Sequence, residues 1–231
     1  MNFSFIFDNL EYLMIGAWPN GPVGGLALTL LLCVFSAVLS ALFGLLSGIL
    51  LVMSGQKWQL VLVAILGFFR AIPILMLIFW IYFLLPMMFG ISAPKVETIV
   101  LALSLVGGAY LGHSVAAGLR SVGDDQWAAG LALGFNRWKV LWFLILPQAL
   151  PRMAPSFINQ CISLTKDTSL AYIIGTQEFL TLARQIDGRL TGAYSTEIYL
   201  FVGIVYFVLC MTLNFFAERI NKHYSKERQF V

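Results

Sequence analysis

Six polar side chains recur along one predicted helix face in a chain that is otherwise strongly apolar. Their spacing follows the i, i+3, i+4 and i+7 pattern of a single helix face. Such a row of hydroxyl, amide, ammonium and carboxylate groups can bind a polar solute, whereas lipid would leave the groups without partners. The six residues are Ser156, Asn159, Gln160, Ser163, Lys166 and Asp167. We expect the row to face the protein interior or a water-filled route lined by the last five; the alternative is that they only form hydrogen bonds with neighbouring helices.

Arg70 is a further residue that could bind a solute. It lies twelve residues after Trp58, which is about 18 Å along a helix and near the middle of a bilayer. An arginine at that depth costs at least a few kcal/mol and marks a functional site by default, since a guanidinium matches a carboxylate. Pro73 predicts a kink near Ile72. The alternative is that Arg70 pairs with a carboxylate or carbonyl and locks the helix bundle.

Catalytic and nucleotide-binding motifs are missing from the sequence. The nearest match to a serine-hydrolase motif is Gly112-His113-Ser114-Val115-Ala116, but neighbours on a helix point about 100° apart, so His113 cannot activate Ser114. The dipeptide Gly-Lys of a phosphate-binding loop does not occur, and zinc peptidase motifs are excluded because His113 and His223 are the only histidines. We therefore expect no catalytic residue, no metal site and no cofactor on this chain, which is not an enzyme.

The composition is that of a membrane protein. Of 231 residues, 60% are hydrophobic and 11% are charged, where soluble domains carry roughly 25%. The net charge of +3 gives no reason to expect nucleic acid. Long charge-free stretches can each house a helix of about 20 apolar residues surrounded by lipid. The prediction is an all-α integral membrane protein with one transmembrane domain, 1–231, and five transmembrane helices, at approximately 24–53, 58–87, 98–118, 152–175 and 198–217.

Small-residue stripes are a second regular pattern. Ser36, Ser40, Gly44 and Gly48 recur every four residues in the first predicted span, and Ser104, Gly108, Gly112 and Ala116 do so in the third. Small side chains allow helix backbones to approach closely in lipid. The two stripes predict close helix contacts, either within the subunit or between subunits.

A third pattern interrupts the apolar sequence between Gln126 and Pro147. Small residues there predict a helix over 126–138 with short side chains, whose nearly flat surface could dock in a pocket of another protein. They are Ala128, Ala129, Gly130, Ala132 and Gly134. Pro147 is expected to end or bend the following helix, because proline lacks the backbone donor.

The distribution of basic residues predicts the orientation in the membrane. Five spans with the N-terminus outside leave only Lys95, Arg184 and Arg189 on the outer side. The reverse orientation would violate the positive-inside rule, so the stretch at 126–138 is expected to face the cytoplasm. The basic residues on the inner side would be Lys57, Arg120, Arg137, Lys139, Arg152, Arg219, Lys222, Lys226 and Arg228.

The stretch from Ala128 to Pro147 resembles the EAA loop of ABC-transporter membrane subunits. That pattern reads Glu-Ala-Ala, three residues, Gly, nine residues, then Ile-x-Leu-Pro; Gly134, the spacer, Leu146 and Pro147 match. Three residues depart from the pattern: Ala128 stands where it has Glu, Gly130 where it has the second Ala, and Leu144 where it has Ile. Three further stretches are similar to the polar amino-acid branch of the family: Phe69-Arg70-Ala71-Ile72-Pro73, Leu146-Pro147-Gln148-Ala149 and Lys166-Asp167-Thr168-Ser169-Leu170.

The resemblance implies a type I ABC-importer permease fold in the bacterial inner membrane, with the N-terminus periplasmic and the C-terminus cytoplasmic. It implies that residues 126–138 form a coupling helix that docks on a cytoplasmic ATPase subunit, where ATP acts. Contacts there would involve Ala128, Ala129, Gly130, Gly134, Arg137 and Trp138. Further implied partners are a second permease subunit, identical or different, and a periplasmic amino-acid-binding protein.

The substrate and one rival function stay open at this point. The cationic side chains of Arg70 and Lys166 favour an acidic substrate, glutamate or aspartate, although Asp167 could neutralise Lys166. The rival function is an ATPase-independent channel or secondary transporter for small polar solutes. Such proteins often contain internal repeats, and none is visible here.

Overall fold

In a computed structural model, the backbone is described for residues 7–227 and the side chains for residues 7–219. Part of the predicted inner basic tail therefore lies outside the described residues, namely Arg228 and the side chains of Lys222 and Lys226. The described chain is built from helices, joined by short connections with two isolated β-bridges. The all-α prediction is confirmed for the described part of the chain.

In the described part of the N-terminal half, six α-helices have both ends given. A short helix precedes a long apolar one, a broken pair follows, and a second long helix ends this half. In chain order they are α1 (Leu10–Ile15), α2 (Gly25–Met53), α3 (Gln56–Ala71), α4 (Ile74–Phe79), α5 (Leu85–Phe89) and α6 (Lys95–Arg120), with a π-helix at Trp80–Leu84 between α4 and α5.

The C-terminal half contains the stretch with the EAA-like pattern and the polar row. A π-helix at Leu141–Ile145 joins α8 to α9, and a 3-10 helix at Thr168–Ile174 follows α9. The α-helices are α7 (Asp124–Ala132), α8 (Arg137–Val140), α9 (Leu146–Asp167), α10 (Phe179–Arg189) and α11 (Ser195–Glu227).

Within the described residues, three helices are long and apolar enough to cross a membrane: Gly25–Met53, Lys95–Arg120 and Ser195–Arg219. The pair Gln56–Ala71 and Ile74–Phe89 adds a fourth if it counts as one broken span. Helix α9, which was expected to hold another span, does not meet the same criterion because its polar row lowers its hydropathy. Five spans therefore stay a prediction.

The chain divides into two compact units. The first contains the described parts of 1–37, 73–103 and 161–214, and the second those of 38–72, 104–160 and 215–231. In the first unit a core of buried side chains joins α1, α10 and α11, around the fully buried Phe179. In the second unit the main core joins α2, α6, α8 and α9.

The small-residue stripes meet in the second unit, as their spacing predicted for a contact within the subunit. A Cβ added to Gly44 would lie 2.4 Å from the Leu111 Cβ, and one added to Gly112 would lie 2.4 Å from the Ser47 Oγ. The Ser40 hydroxyl donates to the Ser104 carbonyl oxygen at 3.4 Å. Larger side chains at these glycines would force α2 and α6 apart.

Two proline positions differ in their effect. At Pro73 the chain bends sharply between α3 and α4, as expected, and Ile72 adopts an extended backbone with ψ of 132°. At Pro147 the helix does not end, which was one of the two expected outcomes, because helical backbone continues from Leu141 through Asp167. The π-helix before Pro147 is the kind of local adjustment that accommodates a missing backbone donor. Helix α9 therefore starts at Leu146, earlier than the predicted span at 152.

Candidate functional site

The polar row lies on α9 and extends further than the sequence predicted. Asn159 and Lys166 are exposed, whereas Gln160, Ser163 and Asp167 are half-buried beside them. Exposed Gln148 and Arg152 continue the row towards the start of the helix, at angles of the helical wheel close to those of Asn159 and Lys166. Gln148 was missed because the predicted span began only at residue 152, and Arg152 was considered only as a basic residue of the inner side.

Hydrogen bonds occupy only part of the row. The Ser163 hydroxyl donates to an Asp167 carboxylate oxygen at 3.4 Å, so these two side chains are brought together. Among the described residues, the Lys166 ammonium and the Asn159 amide have no hydrogen-bond or ion-pair partner. A free ammonium and a free amide next to a hydroxyl–carboxylate pair can together bind a zwitterionic solute. The Gln160 side chain lies against Gly107 of α6, because a Cβ added to that glycine would be 3.1 Å from the Gln160 Nε2.

Arg70 is in the last turn of α3, next to the break before Pro73. Its side chain is exposed, and its guanidinium carbon lies 5.1 Å from the centre of the Tyr110 ring. The described residues include no carboxylate partner for it, so the alternative of a locking ion pair is not what the structure contains. The hydrogen-bonding edge of Arg70 remains available to an anion. Arg70 belongs to the second unit and Lys166 to the first.

The predicted coupling helix corresponds to α7, but its bounds and its faces differ from expectation. It runs over Asp124–Ala132 rather than 126–138. Ala128 and Ala129 are exposed, as predicted for a docking surface. Gly130 is instead buried: a Cβ there would lie 2.8 Å from both the Leu144 Cδ1 and the Val140 Cγ2. Gly130 therefore seats α7 on the second unit and is not part of an outward surface.

Gly134 has a different role from the other small residues, because it ends α7. Its φ is +82°, its N–H donates to the Leu131 carbonyl at 3.0 Å, and the Phe135 N–H donates to the Gly130 carbonyl at 3.2 Å. These are the two hydrogen bonds of a Schellman motif, with glycine in the left-handed position after the helix. Gly134 was expected on a continuous helix, which is wrong.

The segment after Gly134 returns the chain towards the second unit. The Asn136 side chain caps α8 by accepting from the Lys139 N–H at 2.8 Å. Arg137 and Trp138 are exposed at the start of α8, next to the predicted docking surface. Leu133 is 75% exposed. The exposed surface at the end of α7 is therefore apolar, and it is less flat than a surface made only of Ala and Gly would be.

The chain was compared with known proteins. A family model described as "Binding-protein-dependent transport system inner membrane component" matches residues 40–226. The chain belongs to this family. The permease subunits of this family span the membrane, and ATP is hydrolysed on a separate ATPase subunit. The expected absence of catalytic function is therefore confirmed, and the rival of an ATPase-independent channel or secondary transporter is wrong.

Relatives and a solved structure agree with the membership. The probable glutamine ABC transporter permease GlnP of Bacillus subtilis (strain 168) is 32% identical, over 85% of this chain and 90% of that protein. The glutamate/aspartate import permease GltK of Escherichia coli O157:H7 is 30% identical, over 96% and 97%. A chain from the crystal structure of an amino acid ABC transporter with histidines has a TM-score of 0.82 at 24% identity, over 96% and 99%. The ABC-importer permease fold and the resemblance to amino-acid permeases are confirmed.

Family membership also gives the cellular location and the partners of the chain. The family places the chain in the inner membrane as a multi-pass protein, with an ATPase and a substrate-binding protein as partners. The stretch with the EAA-like pattern and the polar row of α9 both fall inside the matched range 40–226. They are joined by an uninterrupted helical backbone from Arg137 to Asp167.

Glu178 is a buried residue whose role the sequence did not reveal. Its carboxylate caps α10, accepting from the Leu180 N–H at 2.8 Å and from the Thr181 N–H and hydroxyl at 2.7 Å each. The Tyr206 hydroxyl of α11 donates to the same carboxylate at 3.2 Å. A Glu directly before an amphipathic stretch was the available signal, since acidic side chains stabilise helix N-termini.

Proposed function

We propose that the chain is the membrane permease of an ATP-driven importer of a polar amino acid, with glutamate or aspartate as the substrate. The N-terminus would be periplasmic and the C-terminus cytoplasmic, in the bacterial inner membrane. Relatives that act on glutamine and on glutamate and aspartate support an amino acid. The excess of basic residues on the predicted inner side supports the orientation.

The single observation that supports the path is the polar row on α9. Lys166 and Asn159 offer an ammonium and an amide that no described residue uses, and Asp167 offers a carboxylate for the amino group of the substrate. These groups can together pair both ends of an amino acid. Arg70, in the second unit, is a separate candidate for binding a carboxylate. Two cationic groups favour a substrate with two carboxylates.

ATPase coupling is assigned to the exposed side of α7 and the start of α8. Ala128 and Ala129 permit close approach of a partner, and the neighbouring exposed side chains of Leu133 and Trp138 supply apolar area to bury. Gly130 and Gly134 act indirectly, by seating and ending α7. A push on α7 is then transmitted through α8 and the π-helix to α9.

A second permease subunit, identical or different, would complete the path. The exposed residues of the row extend over almost the whole of α9, and a bilayer cannot satisfy polar groups of this kind. A second subunit that faces this row would cover it and leave a route for solute between the two. The periplasmic binding protein would deliver the amino acid to that route.

Glutamine is the second candidate substrate. Asn159, Gln160 and Ser163 are uncharged hydrogen-bonding residues, as the recognition of a side-chain amide requires. The GlnP relative from Bacillus subtilis has 32% identity, compared with 30% for GltK, so sequence similarity does not favour glutamate.

Reconstitution tests the proposal. The chain is co-purified with the ATPase and the binding protein encoded by genes that flank its own, and placed in proteoliposomes that contain ATP. Uptake of radiolabelled L-glutamate, L-aspartate and L-glutamine is measured with and without each component. ATP-dependent uptake of glutamate or aspartate that requires the binding protein supports the proposal. Uptake of glutamine alone would replace the substrate, and uptake without the ATPase would overturn the mechanism.

A further inference from the structure

Helix α10 lies on the first unit with one side buried and one side exposed. Phe179, Leu182, Ala183 and Ile186 are buried in a core shared with Leu13 of α1 and with Ile198 and Val202 of α11. The other side presents Thr181, Arg184, Gln185, Gly188 and Arg189, each exposed or half-buried. This exposed side contains no large apolar side chain, so it has nothing to insert into the acyl region of a membrane.

Two arginines flank this exposed side, and each is stacked on a tyrosine. The Arg184 guanidinium carbon lies 4.7 Å from the centre of the Tyr172 ring, and that of Arg189 lies 5.4 Å from the centre of the Tyr12 ring. Stacking holds a guanidinium by its face and leaves its N–H edge free to bind a carboxylate. Within the described residues neither arginine has an ion-pair or hydrogen-bond partner.

The acidic side chains on α10 and before it are engaged elsewhere. Asp187 accepts from the Ser195 hydroxyl at 2.7 Å and from the Tyr199 hydroxyl at 3.4 Å. Glu178 is fully buried and accepts from Leu180, Thr181 and Tyr206. Neither of these two carboxylates therefore pairs with Arg184 or Arg189.

A depression beside Arg184 has room for an incoming side chain. It has a volume of about 290 Å³ and is lined by Tyr172, Thr181, Arg184 and Gln185. Its lining contains the Arg184 guanidinium and no carboxylate. A carboxylate of a protein side chain meets an opposite charge there, whereas the ammonium group of a free amino acid would meet a like charge.

We propose that the exposed side of α10 docks acidic side chains of a soluble protein, with Arg184 and Arg189 as the anchoring residues. The partner is the binding protein of the transporter, so this inference rests on the proposed function and on α10 facing the outer side. Arginine and tyrosine are the residue types enriched at the energetic centres of protein interfaces. Stacking on Tyr172 and Tyr12 fixes the guanidinium groups before binding, which lowers the entropy lost on docking.

The test uses the complete transporter in nanodiscs, with the binding protein from the reconstitution as the probe. Stimulation of ATP hydrolysis is measured against binding-protein concentration for the unaltered transporter and for Arg184→Gln with Arg189→Gln. The control is Lys95→Gln, which removes an exposed positive charge on the same predicted side, outside α10, together with its hydrogen bond to the Gly175 carbonyl oxygen. Tyr172→Leu and Tyr172→Phe separate loss of the ring from loss of its hydroxyl.

The double variant is expected to need about tenfold more binding protein for half-maximal stimulation, with a weaker dependence on salt, as expected when charged contacts to a partner are removed. Unstimulated hydrolysis should not change, and Tyr172→Leu, unlike Tyr172→Phe, should shift the curve in the same direction. An unchanged curve, an equal effect of Lys95→Gln, or an effect that appears only with anionic lipid or is abolished by free glutamate would overturn the inference. Absence of stimulation in the unaltered transporter would overturn both it and the proposed function.

Discussion

The Phe135 N–H donates a hydrogen bond to the Gly130 carbonyl oxygen at 3.2 Å, and this bond closes the end of α7. The closing turn depends on both glycines of the EAA-like stretch, Gly130 and Gly134. Gly130 lets α7 lie directly against Val140 and Leu144, and Gly134 supplies the positive φ that the closing turn requires. The coupling helix is thus short, firmly seated and sharply ended, which suits a part that transmits a push.

Substitution of Gly134 tests the helix stop. No atom lies within 4 Å of a Cβ at this position, so the cost of Gly134→Ala is backbone strain alone, about 1–2 kcal/mol in the left-handed region. Gly134→Asn should cost less, because Asn tolerates that region. We expect the detergent-solubilised melting temperature and ATP-dependent uptake to fall in the order Gly, Asn, Ala. Equal behaviour of Asn and Ala would contradict the role of the turn.

Substitution of Gly130 and of its neighbour Ala129 separates seating from docking. Gly130→Leu would collide with Val140 and Leu144 and should cost about 1–3 kcal/mol of stability. Ala129→Leu adds the same side chain on the exposed side, so the melting temperature should not change while co-purification of the ATPase falls. The melting temperature and the amount of co-purified ATPase are measured on the same preparations. Loss of stability in Ala129→Leu, or none in Gly130→Leu, would show that the faces of α7 are assigned wrongly.

Much of the architecture is encoded in local patterns. The small-residue stripes predicted the contact between Gly44 and Leu111, and Pro73 predicted the break after α3. The amphipathic residues after Glu178 likewise favour a short helix, and α10 begins directly after Glu178. Each of these features depends on residue types within a few turns of helix.

Other features could not be predicted, because they depend on contacts distant in sequence or on competing local costs. Nothing in the spacing reveals that Gly130 faces Val140, since Gly130 and Ala129 are equivalent in a smooth helix. Pro147 was expected to end or bend the helix, and the helical backbone continues through it after a π-helix. The stacking of Arg184 on Tyr172 joins residues twelve positions apart across a turn.

Lys166 tests the contribution of the polar row to transport. Its ammonium has no described partner, so Lys166→Ala should leave the abundance of the subunit in the membrane almost unchanged. Because the substrate carboxylate would lose a charged contact, KM for glutamate should rise or the maximal rate fall by about tenfold. Lys57→Ala, which also removes an exposed lysine, is the control. Reduced abundance with unaltered kinetics per molecule would mean that Lys166 is structural.

Glu178 predicts a dependence of stability on pH. Burial raises the pKa of Glu178 above its ordinary value of 4.5, although hydrogen bonds from Thr181, Leu180 and Tyr206 oppose the shift. The folded protein therefore holds this proton more tightly than the unfolded chain. The stabilisation from this group is complete below pH 4.5 and is lost as the pH rises through the folded-state pKa.

Glu178→Gln removes that titration. The variant should melt at a lower temperature throughout, because an amide N–H₂ cannot accept the bonds that one carboxylate oxygen receives from Leu180 and Tyr206. The difference in melting temperature between the unaltered protein and the variant should shrink as the pH is raised above 4.5. A difference that grows with pH would mean that the hydrogen bonds outweigh burial.

The central claim is that the polar row of α9 lines the transport path. Its most direct test places single cysteines in a background where Cys33, Cys161 and Cys210 are replaced by alanine, in the complete transporter in proteoliposomes. The measured quantity is the rate of modification by a membrane-impermeant thiol reagent, with and without the transported amino acid. Asn159→Cys and Ser163→Cys should react and be protected by substrate, while the buried control Leu164→Cys should not react. Failure of Asn159→Cys and Ser163→Cys to react with the impermeant reagent in every state of the transport cycle would contradict the account.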